Sequence, residues 1–210
     1  MKLIKISLLT LFTALFLTSN AFADSPLTST NFSDAYADEP IVVAAADAKG
    51  VLNDWLAAYL ANEYNPVDVK MAVVNKIGWK ISGRNNSKLF VQYLIKQRRY
   101  SSEKRFLKKG RADELLSYAY LKALDNYFKV DEAIKIAEKA AKKNKKSRTF
   151  QLITGLIKAQ KMMDSNWCEV YKITDRVRKN RRLRNDMRTS AVGIIYKYMD
   201  IYGDSCKESS

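Results

Sequence analysis

The chain has 210 residues, with 37 Lys and Arg against 22 Asp and Glu, two cysteines and no histidine. Without an imidazole it cannot run Ser-His-Asp or Cys-His catalysis, histidine acid–base chemistry or the usual zinc sites. Its glycines are scattered singly, which excludes a glycine-rich phosphate loop. The net charge of +15 points instead to anionic partners or to an internal charge contrast.

From the N-terminus, MKLIKISLLTLFTALFLTSNAFADS has the three parts of a secretory signal peptide. Lys2 and Lys5 form the positive region, residues 6–18 the apolar run, and Ala21-Phe22-Ala23 the small-x-small site. The apolar run is short for a bilayer span. The sequence therefore reads as a cleavable signal over 1–23 and an exported periplasmic or secreted chain beginning at Asp24, the alternative being an uncleaved anchor. Residues 24–46 form an acidic, polar segment, either flexible or carrying a short helix around Phe32 to Ala37. Residues 47–210 are expected to form one helical-repeat-like domain. Charge is polarised along the chain: −6 over residues 24–72 and +19 over residues 73–210.

Beyond this segment the apolar residues recur close to every 3.6 positions. The stripes run Leu52, Trp55, Leu56, Tyr59, Leu60; then Val69, Ala72, Val73, Ile77; then Phe90, Tyr93, Leu94 after the cap-forming Asn85-Asn86-Ser87. A basic segment with Phe106 and Leu107 ends at Gly110. The stripes then continue through Leu115, Leu116, Ala119, Ala123; Ala133, Ala137, Ala140; Phe150, Ile153, Leu156, Ile157; Trp167, Val170, Tyr171; and Ala191, Ile194, Ile195, Tyr198. No alternating strand pattern of useful length occurs, and the one β-branched run, Ile41-Val42-Val43, leads into three alanines. The expectation is an all-α fold of nine or ten helices. It is either an α-solenoid-like array of antiparallel helix pairs or an irregular helical bundle.

Two stretches carry a resemblance. Asn65-Pro66, Val69-Lys70, Ala72 and Ile77-Gly78, followed by Phe90 and Leu94, resemble one HEAT-type unit over residues 65–95. Over 112–180, the Ala133, Ala137, Ala140 stripe and the glycine at 155 are similar to tetratricopeptide helix pairs. Both resemblances imply helix pairs stacked in series, each burying its stripe on its neighbours.

Cys168 and Cys206, an even count in an exported chain, favour a disulfide, with unpaired buried thiols as the alternative. Three basic clusters occur: Lys139, Lys142, Lys143, Lys145, Lys146 and Arg148; Arg176, Arg178, Lys179, Arg181, Arg182, Arg184 and Arg188; and a run from Lys96 to Arg111, near which Tyr93, Arg98, Arg99 and Tyr100 alternate. Lysines at helix C-termini complement the helix dipole. The arginine-rich second cluster goes beyond that, because Arg suits bidentate recognition of carboxylate or phosphate. It is the candidate anion-binding surface. Export speaks against nucleic acid as the anion and for an anionic envelope component or an acidic protein. The recognisable catalytic candidates are the carboxylate pairs Asp38/Glu39, Asp113/Glu114 and Asp131/Glu132, two of which sit at helix starts where acids favour the dipole; a lysine nucleophile stays open, with no one lysine singled out.

The sequence thus reads as an exported, non-enzymatic interaction protein with a basic surface and no cofactor. The alternatives are a structural envelope-associated repeat protein and, behind it, a carboxylate-dependent hydrolase.

Overall fold

The computed structural model describes residues 24–207, so the signal-peptide reading of residues 1–23 lies outside the described residues. Within that span the chain is all-α. A 3-10 turn, Phe32–Tyr36, leads into α1 (Pro40–Asp47), α2 (Asp54–Ala61), α3 (Val67–Ile77), α4 (Asn86–Lys96), α5 (Glu103–Lys109), α6 (Ala112–Asp125), α7 (Asp131–Lys143), α8 (Arg148–Met162), α9 (Trp167–Lys179) and α10 (Thr189–Met199). Two further 3-10 turns follow at Asp200–Tyr202 and Asp204–Cys206.

Local chemistry sets half of the ten α-helix starts among the described residues. The side chains of Asn53, Ser102, Ser147 and Asn166 each accept the backbone N–H three residues on, at the starts of α2, α5, α8 and α9. Pro40 opens α1. The β-branched run behind it stays helical because Ile41, Val42 and Ala45 are buried where α1 packs on α3.

The start of α4 works differently. Asn85 caps nothing with its side chain. Asp125, the last residue of α6, accepts the N–H groups of Asn86 at 2.9 Å and Ser87 at 2.8 Å. Asn86 in turn accepts the Leu52 N–H at 2.9 Å and donates to the Gly50 carbonyl at 3.0 Å. Three distant pieces of chain meet at this cap. Asp125→Ala leaves two buried donors unpaired and is expected to cost about 2 kcal/mol. A lower urea midpoint with an unchanged slope would register that loss, and an unchanged midpoint would refute it.

Helix α6 is the centre of the molecule. Every residue from Glu114 to Leu121 is buried, and α2, α3, α4, α7 and α8 all pack against it. From α6 to α9 each helix packs on the next. Their links are four or five residues long, which turns successive helices back antiparallel. The N-terminal third is less serial: α3 rests mainly on α1, the Phe32–Tyr36 turn and α6, while α4 rests on α6 and α2. The packing thus combines a serial run, α6–α9, with a bundle wrapped around α6.

Residues 24–46 belong to the same core. Leu27, Phe32, Tyr36, Ile41 and Val42 join the apolar cluster that contains Leu116 and Phe150. The Phe32–Tyr36 turn lies against α3 and α10, so the first and last helical parts of the chain meet. Asn75, buried in α3, fastens it there. This side chain accepts the Ser33 N–H at 2.9 Å and donates to the Thr30 carbonyl at 3.0 Å and the Tyr120 hydroxyl at 2.9 Å.

One stripe differs from its pattern. Trp55 is 59% exposed while Leu56 and Leu60 are fully buried. The inward face of α2 follows the i, i+4 leucines, and Trp55 lies about 100° around the helix from Leu56. Among the described residues no helix is long and apolar enough to cross a membrane.

Candidate functional site

The carboxylate pairs are all engaged by basic side chains. Arg188 holds both Asp38 and Glu39. Lys161 meets Asp131, and Lys122 lies 3.0 Å from Glu132. Asp113 and Glu114, at the start of α6, sit in a dense buried network. The fully buried Lys70 donates to Asp113 at 2.5 Å. Arg111 grips the same carboxylate with Nε at 3.1 Å and Nη2 at 2.9 Å, and its Nη2 also donates to the Ala61 carbonyl at 2.8 Å. Glu114 accepts Arg99 at 2.7 Å, the Tyr100 hydroxyl at 2.5 Å and the Arg111 backbone N–H at 3.2 Å.

Two titrations in this network are unequal. Burial lowers the pKa of Lys70, and the pull of Asp113 only partly offsets it. Burial also pushes Asp113 upward, but the hydrogen bonds and charges of Arg111 and Lys70 outweigh it and hold the carboxyl below its usual range. The tyrosine–arginine alternation near residue 100 is absorbed here too. Arg99 and Tyr100 turn onto Glu114, and burial raises the Tyr100 phenol to about 12. This assembly ties α2, α3, the α4–α5 link and α6 together. Among the described residues no group of three or more His, Cys, Asp or Glu side chains could hold a metal ion.

The seven residues of the arginine cluster diverge. Arg178 lies over the Tyr196 ring at 4.3 Å and pairs with Asp200, while Lys179 pairs with Asp175 at 2.6 Å. Arg188 sits 4.6 Å over the Tyr36 ring and reaches the Ala35 carbonyl as well as Asp38 and Glu39. These residues hold the C-terminal part of the chain to itself and to the acidic N-terminal segment. Arg176 pairs with Glu169 at 2.7 Å. Arg181 and Arg182 are exposed and have no ionic partner among the described residues.

Arg184 supplies a link the sequence did not signal. Its N–H donates to the Lys146 carbonyl at 2.7 Å, and its carbonyl accepts the Arg148 N–H at 3.3 Å. Its guanidinium donates to Asn144 at 3.2 Å. Nearby, the Thr149 N–H donates to Asp186 at 3.1 Å. The α7–α8 and α9–α10 links are thereby laid side by side. Lys145 and Lys146, from one basic cluster, come alongside Arg181 and Arg182, from the other. Lys139 leaves that group, because its ammonium caps the carbonyls of Leu107 and Lys108 at the end of α5.

Next to this basic end a groove of about 550 Å³ opens between α7, α8 and α9. Lys142 and Lys145 line it from α7 and its link, Lys158 from α8 and Arg176 from α9. Lys158 pairs with Glu138 at 2.9 Å, whereas Lys142 and Lys145 have no carboxylate partner among the described residues. Ala141, Gly155, Ile173 and Val177 give the groove an apolar lining. Lys158 was hidden in the sequence among the apolar residues of α8. The one local signal was Gly155, a glycine in mid-helix.

Cys168 and Cys206 are joined in a disulfide that ties the Asp204–Cys206 turn to the start of α9. Over the described residues the molecule is therefore all-α and disulfide-linked, a serial run of helices joined to a bundle around α6. No protein-family model, curated protein or solved structure matches the chain, and no repeat family is identified.

Proposed function

We propose that this chain is an exported, non-enzymatic interaction module that presents a basic surface to an anionic envelope component or to an acidic protein. The carrying observation is the merging of two sequence-distant basic clusters through the Arg184 bridge, with Lys145, Lys146, Arg181 and Arg182 free of ionic partners among the described residues. Export rests on the residue 1–23 pattern. The disulfide supports it, since such bonds persist in oxidising compartments. Arg178 is excluded from this surface because Asp200 and Asp175 already engage it.

Attraction between exposed charges is screened within about 10 Å at 0.1 M salt. Retention of the chain on envelope fractions should therefore fall steeply along a salt series. The variant K146E/R181E/R182E is expected to lose at least tenfold in retention at low salt. Retention equal to that of the unchanged protein would overturn the reading. It would favour a structural envelope-associated protein, in which basic residues serve internal pairing as Arg178 and Arg188 do.

A further inference from the structure

We infer that the groove between α7 and α9 binds an acidic, amphipathic polypeptide segment of a partner protein. This rests on the basic-surface reading in taking the partner to be anionic, and narrows it to one occupant at one place. Charge sets the first requirement. Of the four cations lining the groove, Lys158 and Arg176 are already paired with Glu138 and Glu169, which leaves Lys142 and Lys145. A groove with two free ammonium groups and two carboxylates nearby suits a ligand carrying a few spaced acids. A dense polyanion is better served by the open basic end, where Lys146, Arg181 and Arg182 have no ionic partner among the described residues.

The apolar lining sets the second requirement. Ile173 and Val177 offer surface that a polyphosphate or an acidic glycan would leave unused, whereas leucine-like side chains of a peptide would bury it. Gln151 and Asn180 add side-chain amides. The Gln151 amide makes one long hydrogen bond, 3.4 Å to the Lys145 carbonyl, and so keeps capacity for a peptide backbone.

Gly155 lies at the floor of the groove, where α8 meets α9. It sits in mid-α8, where glycine weakens a helix relative to alanine. A Cβ there would meet the Ile173 and Thr174 methyl groups at 3.5 Å, an ordinary contact. Gly155 is buried, and a side chain there would face α9, so it belongs to the α8–α9 contact at the floor of the groove.

The test is selection of a displayed library of 12-residue peptides on the mature chain, with counter-selection on K142E/K145E. Enriched peptides should combine carboxylates with apolar residues at helical spacing, and should bind K142E/K145E at least tenfold more weakly. R181E/R182E should leave peptide affinity within threefold, which separates this groove from the basic end. Equal binding to K142E/K145E, displacement of the peptide by polyphosphate of equal charge, or enrichment of no acidic peptide would overturn the inference. None of those results bears on envelope retention through the basic end.

Discussion

Replacing Glu114 with alanine should cost about 3 kcal/mol of unfolding free energy, the low end of the 3–5 kcal/mol that follows when one partner of a buried ion pair is removed. Glu114 has no exposed side-chain surface, while Arg99 and Arg111 keep 34% and 29% of theirs. Without the carboxylate, two guanidinium groups face each other, and the Tyr100 hydroxyl and the Arg111 N–H lose their acceptor. Partial exposure lets water relieve the guanidinium groups, which sets the expectation at the low end. Glu114→Gln keeps acceptor and shape and should cost less. Urea unfolding of the two variants measures this, and a loss under 1 kcal/mol for the alanine would show that the network is dispensable.

The neighbouring Asp113 adds a pH signature. Its folded pKa lies below the usual carboxylate value because Arg111 and Lys70 outweigh burial. Its contribution to stability is therefore complete above the usual carboxylate pKa. It is lost as the pH falls through the lowered folded value. Lys70 acts at the other end. Burial lowers its pKa, so the cost of holding it charged is relieved as the pH rises past that lowered value.

Periodicity made the helices legible, since the apolar stripes at 3.6 spacing need only local sequence. It could not reveal which helix becomes the hub. Helix α6 differs from α7 in being buried on every side through its middle, so Glu114, Ser117 and Tyr120 vanish inside beside the leucines. The Asn85-Asn86-Ser87 cap was misassigned for a similar reason, because the true acceptor, Asp125, lies 39 residues from Asn86. The basic clusters were visible as composition, but their fates depended on partners far along the chain. Arg188 closes onto Asp38, 150 residues away, whereas Arg181 and Arg182 meet no anion among the described residues. The groove was least legible. Its lining comes from three helices, and no single segment shows Lys142, Lys158 and Arg176 together.

Loss of the Cys168–Cys206 bond should lower stability by about 4 kcal/mol, the chain-entropy value for a closed loop of this size. The bonded residues are 38 positions apart, and they enclose the rest of α9, the basic α9–α10 link and α10. For a chain of this length, 4 kcal/mol corresponds to about 8–16 °C in melting temperature. The native contacts at the bridge explain why the folded state should survive its loss. The Trp167 ring meets Tyr202 edge-on at 6.4 Å, Tyr202 shares a 2.8 Å hydrogen bond with Tyr198, and the Tyr198 hydroxyl donates to Asp24 at 2.8 Å. With these contacts in place the bond acts mainly on the unfolded chain, by forbidding its most open forms. Cys168→Ser, Cys206→Ser, the double variant and the reduced protein should then share one melting temperature, because the chain has no third cysteine to capture a lone thiol. A double variant that melts within 2 °C of the oxidised protein would mean that the tyrosine contacts alone hold this end closed. A variant that loses its helical signal at 25 °C would mean that the bridge is required to form the native state.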